Sequence, residues 1–330
     1  MRKYVYRWRK HGRYSAYSMA EDAAQAHHRT ASASGMTARQ HTQKTSARMQ
    51  ITVIKVGGAV VEDEKQLSCL IESFARIEGP KVLVHGGGRR ATKVAAQLGI
   101  ETQMAGGRRI TDAAMLDVVT MVYGGLVNKH LVAMLQAQGV NAAGLTGADM
   151  DIIRSHRRPL KRMTIDGEER MIDFGFVGDV DHADGQRLTM LLENGIIPVV
   201  APLTHDGKGN ILNTNADTMA SETAKALASE GHDVTLIFSF EKRGVLADPD
   251  DDNTLIPVIT PELFSRYRDD GTISGGMLPK IENALQAVSA GVRRVVITLA
   301  ENISQPDSGT QIRLRTTPGS KREPTPNDTT

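Results

Sequence analysis

From Ile51 onward the chain alternates short, almost continuously apolar runs with longer segments whose apolar residues recur every three or four positions. Strands are predicted at 51–56, 81–85, 142–145, 196–201, 234–238 and 295–299. Helices are predicted at 64–78, 89–98, 112–138, 184–193, 216–229 and 277–290; in the first of them Leu67, Leu70, Ile71 and Phe74 share one face. Strands with no polar side are those covered by helices on both faces, so the expected fold is α/β: a three-layer αβα sandwich around a mainly parallel central sheet. Over 152–172 the pattern turns rich in Arg and Lys, with Asp166-Gly167 as a turn pair, and predicts a β-hairpin insertion instead of core. Insertions of this kind tend to carry substrate contacts.

Composition changes the picture mainly at the ends. The 330 residues carry a formal charge of only +2, but residues 1–48 hold ten Lys and Arg against Glu21 and Asp22, leaving a mildly acidic body. That leading segment also holds Trp8, Tyr4, Tyr6, Tyr14 and Tyr17 and then loses all apolar periodicity. It reads as an unstructured basic extension, preferred to an RNA-binding arm or a transit peptide, with Met49 opening a folded domain over 49–315 and a polar, unstructured tail over 316–330. A near-neutral whole does not indicate nucleic-acid binding. One cysteine, Cys69, allows no intrachain disulfide, no Cys/His cluster has zinc spacing, and a reducing, cytoplasmic setting is expected. No run of about 18 apolar residues is apparent, so no membrane span is expected.

The chemistry gathers at strand ends. The first predicted strand ends in Lys55-Val-Gly57-Gly58 and the second in His85-Gly-Gly87-Gly88, followed by Arg89-Arg90. Glycines there let backbone N–H groups approach an anion, and a helix N-terminus adds partial positive charge, so two adjacent phosphate or oxyanion cradles are predicted over two plain strand-to-helix turns. A Walker loop is absent, and Gly86 to Ala91 meets the loose dinucleotide pattern without the acidic residue expected about 20 positions on. Asn213-Thr-Asn215-Ala-Asp217 stands at one helix entrance and Gly275-Gly276-Met-Leu-Pro-Lys280 at another. Lys55 and Lys280 could flank a transferring phosphoryl group. Lys55 in a buried strand end requires a partner, for which Asp217 is the candidate.

Lys55-Val-Gly-Gly58, Val84-His-Gly-Gly-Gly88, Gly107-Arg-Arg-Ile-Thr111, Gly175-Phe-Val-Gly-Asp179, Ile197-Pro-Val-Val200, Asn213-Thr-Asn-Ala-Asp217 and Gly275-Gly-Met-Leu-Pro-Lys280 follow one another in the order of the acetylglutamate kinases, members of the amino acid kinase superfamily. Over 50–315 the chain resembles that family. The resemblance implies transfer of the ATP γ-phosphoryl group to the side-chain carboxylate of N-acetylglutamate, the second step of arginine biosynthesis. It implies an N-acylglutamate-binding part over about 49–205 and an ATP-binding part over about 206–315. Lys55 and Lys280 would stabilise the transition state, Asp217 would orient both, and the Gly57, Gly58, Gly87 and Gly88 amides would hold phosphoryl and carboxylate oxygens. Arg109 would bind the substrate α-carboxylate and Asn213 the same substrate. Gly276, Glu241 and Lys242 fall on the ATP side, with Mg2+ bridging the nucleotide phosphates and no dedicated protein ligand set.

Two stretches depart from the family pattern. Where relatives carry Thr/Ser-Asp this chain reads Ser239-Phe240-Glu241-Lys242-Arg243-Gly244, so Glu241 would replace the aspartate with a longer arm. The insertion, with Arg154, Arg157, Arg158, Lys161 and Arg162, is either a solvated face or room for a second carboxylate, as an N-succinyl group would bring. The alternatives are an aminoadipate, aspartate or carbamate kinase, a dinucleotide-binding oxidoreductase, and a non-catalytic amino-acid sensor; the last should have lost Lys55, Lys280 or Asp217. A homodimer or hexamer and arginine as feedback inhibitor are the expected partners besides the substrate, with no nucleic acid and no membrane.

Overall fold

A computed structural model of the chain describes residues 47–315 apart from 166, 167 and 306. The extension and tail expected at 1–48 and 316–330 therefore lie outside the described residues, except for Ala47 and Arg48.

The chain runs through β1 (Gln50–Val56), α1 (Gly58–Glu62), α2 (Glu64–Arg76), β2 (Lys81–His85), α3 (Gly88–Gln97), β3 (Met104–Ala105), β4 (Arg108–Arg109), α4 (Ala113–Val119), α5 (Asn128–Ala137) and β5 (Ala142–Leu145). It continues through β6 (Ile153–Arg157), β7 (Lys161–Ile165), β8 (Glu168–Ile172), β9 (Gly178–Ala183), α6 (Gly185–Glu193), β10 (Ile197–Val200), β11 (Leu203–His205) and β12 (Ile211–Asn213). The remainder is α7 (Ala216–Ser229), β13 (Asp233–Phe240), β14 (Val258–Ile259), α8 (Pro261–Asp269), α9 (Met277–Ser289), β15 (Arg294–Leu299) and β16 (Thr310–Ile312).

Eight strands form the central sheet in the order β14-β16-β15-β13-β1-β2-β10-β5, parallel except where β15 meets β16. The period of two along a strand sorts the side chains of β1: Ile51 and Val53 enter one core with Ala220, Ala224 and Leu227 of α7 and Ile281 and Ala284 of α9. Ile54 and Val56 enter the other, with Leu67, Leu70 and Phe74 of α2, Ala91 and Ala95 of α3, and Val118 and Leu131. This is the expected three-layer arrangement, and the same alternation assigns Lys55 to the α7 side. Strand β1 is flanked by β13 on one edge and β2 on the other, so the order of connection reverses at β1, the place where open α/β sheets leave a crevice at their carboxyl ends.

Side-chain caps start three of the helices packed on the sheet. Asn215 accepts from the Thr218 amide at the head of α7, Asp63 from Gln66 before α2, and Thr260 from Leu263 before α8, where Pro261 takes the first position. Gly231 and Gly291, at φ +87° and +98°, close α7 and α9 in the left-handed region that glycine occupies without strain.

The structure corrects two expectations. The hairpin is confined to β7 and β8; residues 153–157 instead join a second sheet of order β12-β11-β6-β9, and the turn pair Asp166-Gly167 lies outside the described residues. The single helix expected over 112–138 is α4 and α5 joined by a π-helical stretch, Thr120–Val127. The 113–137 unit contains an 18-residue window of mean hydropathy 1.4 and is long and apolar enough to cross a membrane by length and composition, while Met115, Val118, Val122, Leu131 and Leu135 pack one side of it into the core.

Candidate active site

The carboxyl end of β1 delivers Lys55 into the crevice with only 7% of its surface exposed. Asp217, in the first turn of α7, receives it: Lys55 Nζ stands 2.8 Å from Oδ1. On the other oxygen, Oδ2, Lys280 Nζ of α9 approaches to 3.2 Å, so one buried carboxylate holds two ammonium groups. Phe240 places its ring 5.5 Å from Lys280 Nζ, a cation–π contact on the same side of the sheet. Burial pushes the Lys55 ammonium below the usual lysine range against the pull of Asp217, with Lys280 pushing the same way. Burial would raise Asp217, but the two ammonium groups outweigh it and hold the carboxyl below its ordinary value. The cluster carries a surplus positive charge, which is the sign needed to receive an anion.

Over it opens a cavity of about 290 Å³ bordered by Lys55, Gly57, Gly58, Gly88, Ser239, Glu241 and Lys280. The two glycine turns abut: a Cβ on Gly58 would sit 3.5 Å from the Gly87 nitrogen and 3.6 Å from that of Gly88. A Cβ on Gly87 would lie 2.9 Å from Cδ1 of Tyr123, so only glycine fits beside that ring. Ser239, at the end of β13 and 3% exposed, borders the cavity with a buried hydroxyl that has no protein partner.

The second turn is anchored from behind. His85 is fully buried and donates Nδ1–H to the Gly86 carbonyl at 2.8 Å, which leaves Nε2 to accept from Asn128 Nδ2 at 3.2 Å. Asn128 also donates to the Val199 carbonyl at 2.8 Å. Burial pulls the His85 pKa down to about 4, the Gly86 bond opposing it, so the ring is neutral at pH 7.

Arg109 on β4 reaches the same turn from the β3–β4 pair. One guanidinium nitrogen donates to the Gly88 carbonyl at 2.9 Å and to Thr92 Oγ1 at 2.8 Å, the other to Thr102 Oγ1 at 3.3 Å. Two residues on, Thr111 is completely buried, bridged to Gly175, and accepts at Oγ1 from Asn213 Nδ2 at 2.9 Å. Arg109 and Asn213 are thus linked through one short segment but do not border the cavity above Lys55.

The model of the Amino acid kinase family matches residues 50–299. An acetylglutamate kinase of Phocaeicola vulgatus is 60% identical over 264 residues, 80% of this chain and 98% of its own, and one of Bacteroides fragilis is 58% identical over 270 residues, 82% and 99%. The chain belongs to the amino acid kinase family. Its fold is shared by an N-acetylglutamate synthase of Neisseria gonorrhoeae solved with coenzyme A and N-acetyl-glutamate, at TM-score 0.65 and 21% identity, covering 82% of this chain and 61% of that one.

Within this amino acid kinase, not every residue singled out from the sequence reaches the crevice. Lys242 Nζ donates to the Pro249 carbonyl at 3.0 Å, inside its own loop. Gly276 precedes α9 and positions Lys280 through the helix without bordering the cavity. Among the insertion cations, Arg154 pairs with Asp151 at 2.5 Å, Arg157 with Asp173 at 3.2 Å, Arg158 with Asp179 at 2.6 Å and Arg162 with Glu169 at 3.5 Å. These four arginines are thus paired from within the protein, which favours the reading of the insertion as a solvated charged face. Residues not anticipated as parts of the site are Ser239, Phe240, Tyr123, Asn128 and Arg89. Tyr123, 5% exposed on the π-helical stretch, lies near Arg109; burial raises its hydroxyl pKa and the Arg109 charge opposes it. Periodicity marks it only as a core aromatic.

Proposed function

We propose that this chain transfers the γ-phosphoryl group of ATP to the side-chain carboxylate of N-acetyl-L-glutamate, giving N-acetyl-glutamyl 5-phosphate and ADP in the second step of arginine biosynthesis. The observation that carries the chemistry is the Lys55–Asp217–Lys280 cluster beneath two abutting glycine turns. The acceptor is supported by the 58–60% identity to acetylglutamate kinases over four-fifths of the chain.

A carboxylate is already ionised at neutral pH and needs no catalytic base. One of its oxygens forms the new O–P bond as the bond from Pγ to the bridging oxygen breaks, and the electron pair leaves on ADP. The obstacle is the approach of two anions and the charge spread over the equatorial oxygens. Lys55 and Lys280 neutralise that charge. Asp217 fixes their ammonium groups beforehand, so little reorganisation is needed at the moment of transfer. The Gly57, Gly58, Gly87 and Gly88 amides hold phosphoryl and carboxylate oxygens, Glu241 lies on the nucleotide side, Gly276 sets the start of α9 that carries Lys280, and Arg109 and Asn213 orient the acceptor through its α-carboxylate and amide.

Among the described residues no group of three or more His, Cys, Asp or Glu is placed to hold a metal ion. Mg2+ would be carried by the nucleotide phosphates, with Asp217 as the nearby carboxylate, and when bound would screen phosphate charge. The proposal extends to self-association as a homodimer or hexamer, for which Met121 and Leu126 expose apolar surface on the long helix unit, and to arginine as feedback inhibitor.

Hydroxylamine trapping of acyl phosphate tests the reaction, with MgATP and, separately, N-acetylglutamate, N-succinylglutamate, aspartate and N-acetylaminoadipate. Product with N-acetylglutamate in clear preference is the expected outcome. A preference for another acceptor, or none by a folded protein that binds ATP, would overturn the assignment.

A further inference from the structure

Arg89 follows Gly88 at the start of α3 and is itself followed by Arg90, so two guanidinium groups occupy the helix end where the dipole already concentrates positive charge. Lys55 and Lys280 add to the same field, since all but Arg90 border one cavity. This placement is unfavourable in itself and becomes favourable only with an anion nearby. In the structure that anion is Glu241, whose Oε1 lies 3.5 Å from Arg89 Nη2.

The pair has the character of an exchangeable contact. Both side chains are largely exposed, at 66% and 49%, and the separation is long for a charge-assisted hydrogen bond, so little free energy holds them together. Arg89 and Glu241 border both the 290 Å³ cavity and a neighbouring one of about 730 Å³, and therefore stand on the wall between the two. Two residues before Glu241, Ser239 also borders the smaller cavity, and its buried hydroxyl has no hydrogen-bond partner in the protein.

We infer that Arg89 is a further phosphate-binding residue, which leaves Glu241 for the nucleotide when ATP enters. The inference rests on reading the smaller cavity as the site of phosphoryl transfer. A phosphate chain offers more charge than a carboxylate and can engage the planar guanidinium through two oxygens, so it wins the exchange. Glu241 competes with the nucleotide for Arg89. Its removal therefore strengthens nucleotide binding, which a direct ligand of ATP or its metal would not do.

Calorimetric titration of the full chain with a non-hydrolysable ATP analogue and Mg2+ tests this without requiring turnover. Arg89→Gln should raise Kd about tenfold, the worth of one charge-assisted hydrogen bond, with Arg89→Lys in between. Glu241→Gln should lower Kd about threefold, and the double variant should match Arg89→Gln alone, since Glu241 acts through Arg89. An Arg89→Gln protein with wild-type Kd, a Glu241→Gln protein with an unchanged or raised Kd, or additive effects in the double variant would each overturn the exchange. Acyl phosphate trapping on the wild-type chain separates the two questions: failure with N-acetylglutamate, while the nucleotide titrations behave as stated, would remove the acceptor and leave the Arg89 exchange standing.

Discussion

Two buried lysines show how one residue type takes opposite roles at the two ends of parallel strands. Lys55, at the carboxyl end of β1, meets the carboxylate of Asp217. Lys81, at the amino end of β2, donates to the carbonyls of Ala75 at 3.2 Å and of Ile77, closing the last turn of α2, and burial lowers its pKa with no carboxylate to oppose it. Only the first has charge left to offer a ligand. In the proposed reaction the same distinction would separate Lys280, which would meet charge developing in transfer, from Arg109, which would hold a carboxylate that is charged throughout. Lys280→Ala should therefore lower kcat about a hundredfold or more with little change in acceptor KM, the scale of losing one preorganised stabiliser. Arg109→Ala should raise acceptor KM about tenfold or more and spare kcat. Steady-state kinetics with both substrates varied checks the split, and equal effects on kcat from the two variants would contradict it.

At the level of elements, the site depends on backbone stitching as much as on its charged groups. Gly175 lies at φ +69° directly under Thr111, where an added Cβ would come within 2.2 Å of the Thr111 carbonyl oxygen. Thr111 in turn receives Asn213 and is two residues from Arg109. Gly175→Ala must push this segment away, at a cost of about 2–3 kcal/mol from backbone strain and the displaced contact. Urea unfolding should register that loss. Acceptor KM should rise while the affinity for nucleotide, whose proposed site lies around β1, β13 and α9, stays at the wild-type value. Unchanged acceptor KM would mean that the Thr111 bridge does not set the position of Arg109.

For the whole molecule, the reversal of strand order at β1 explains why residues 55, 217 and 280 meet although they lie far apart in the chain: β1 is central, and α7 and α9 pack on the face to which Lys55 points. The same burial that makes the crevice rigid gives the fold an acid sensitivity. His85 has a pKa near 6.5 when unfolded and about 4 when folded, so between those values the unfolded chain binds more protons. Stability therefore rises with pH across that window; acidification from 6.5 to 4 should remove about 3 kcal/mol through this group. His85→Asn, which keeps a donor for the Gly86 carbonyl, should be less stable at pH 7 but show a flatter profile from pH 7 to pH 4 by urea unfolding. Parallel profiles for the two proteins would rule out His85 as the source.

The sequence by itself determined the layers and the chemistry at strand ends. Apolar periods are local, and they marked every central strand from β1 to β15 except the two-residue β14, as well as the helices α2, α3, α6, α7 and α9, because burial on both faces leaves no polar position in a strand. Glycine clusters and lysines at strand and helix ends were legible because backbone approach and unpaired charge restrict residue choice there. The tertiary structure alone decided which charges neutralise one another. Lys242 turned into its own loop, the insertion arginines found acidic neighbours, and residues 153–157 left the hairpin for another sheet. Arg89, Tyr123 and Ser239 joined the site through contacts with residues 14 or more positions away or through a cavity. Ion pairs and cavities are properties of distances between segments, and those distances follow from packing two cores on one sheet, which local periodicity does not encode.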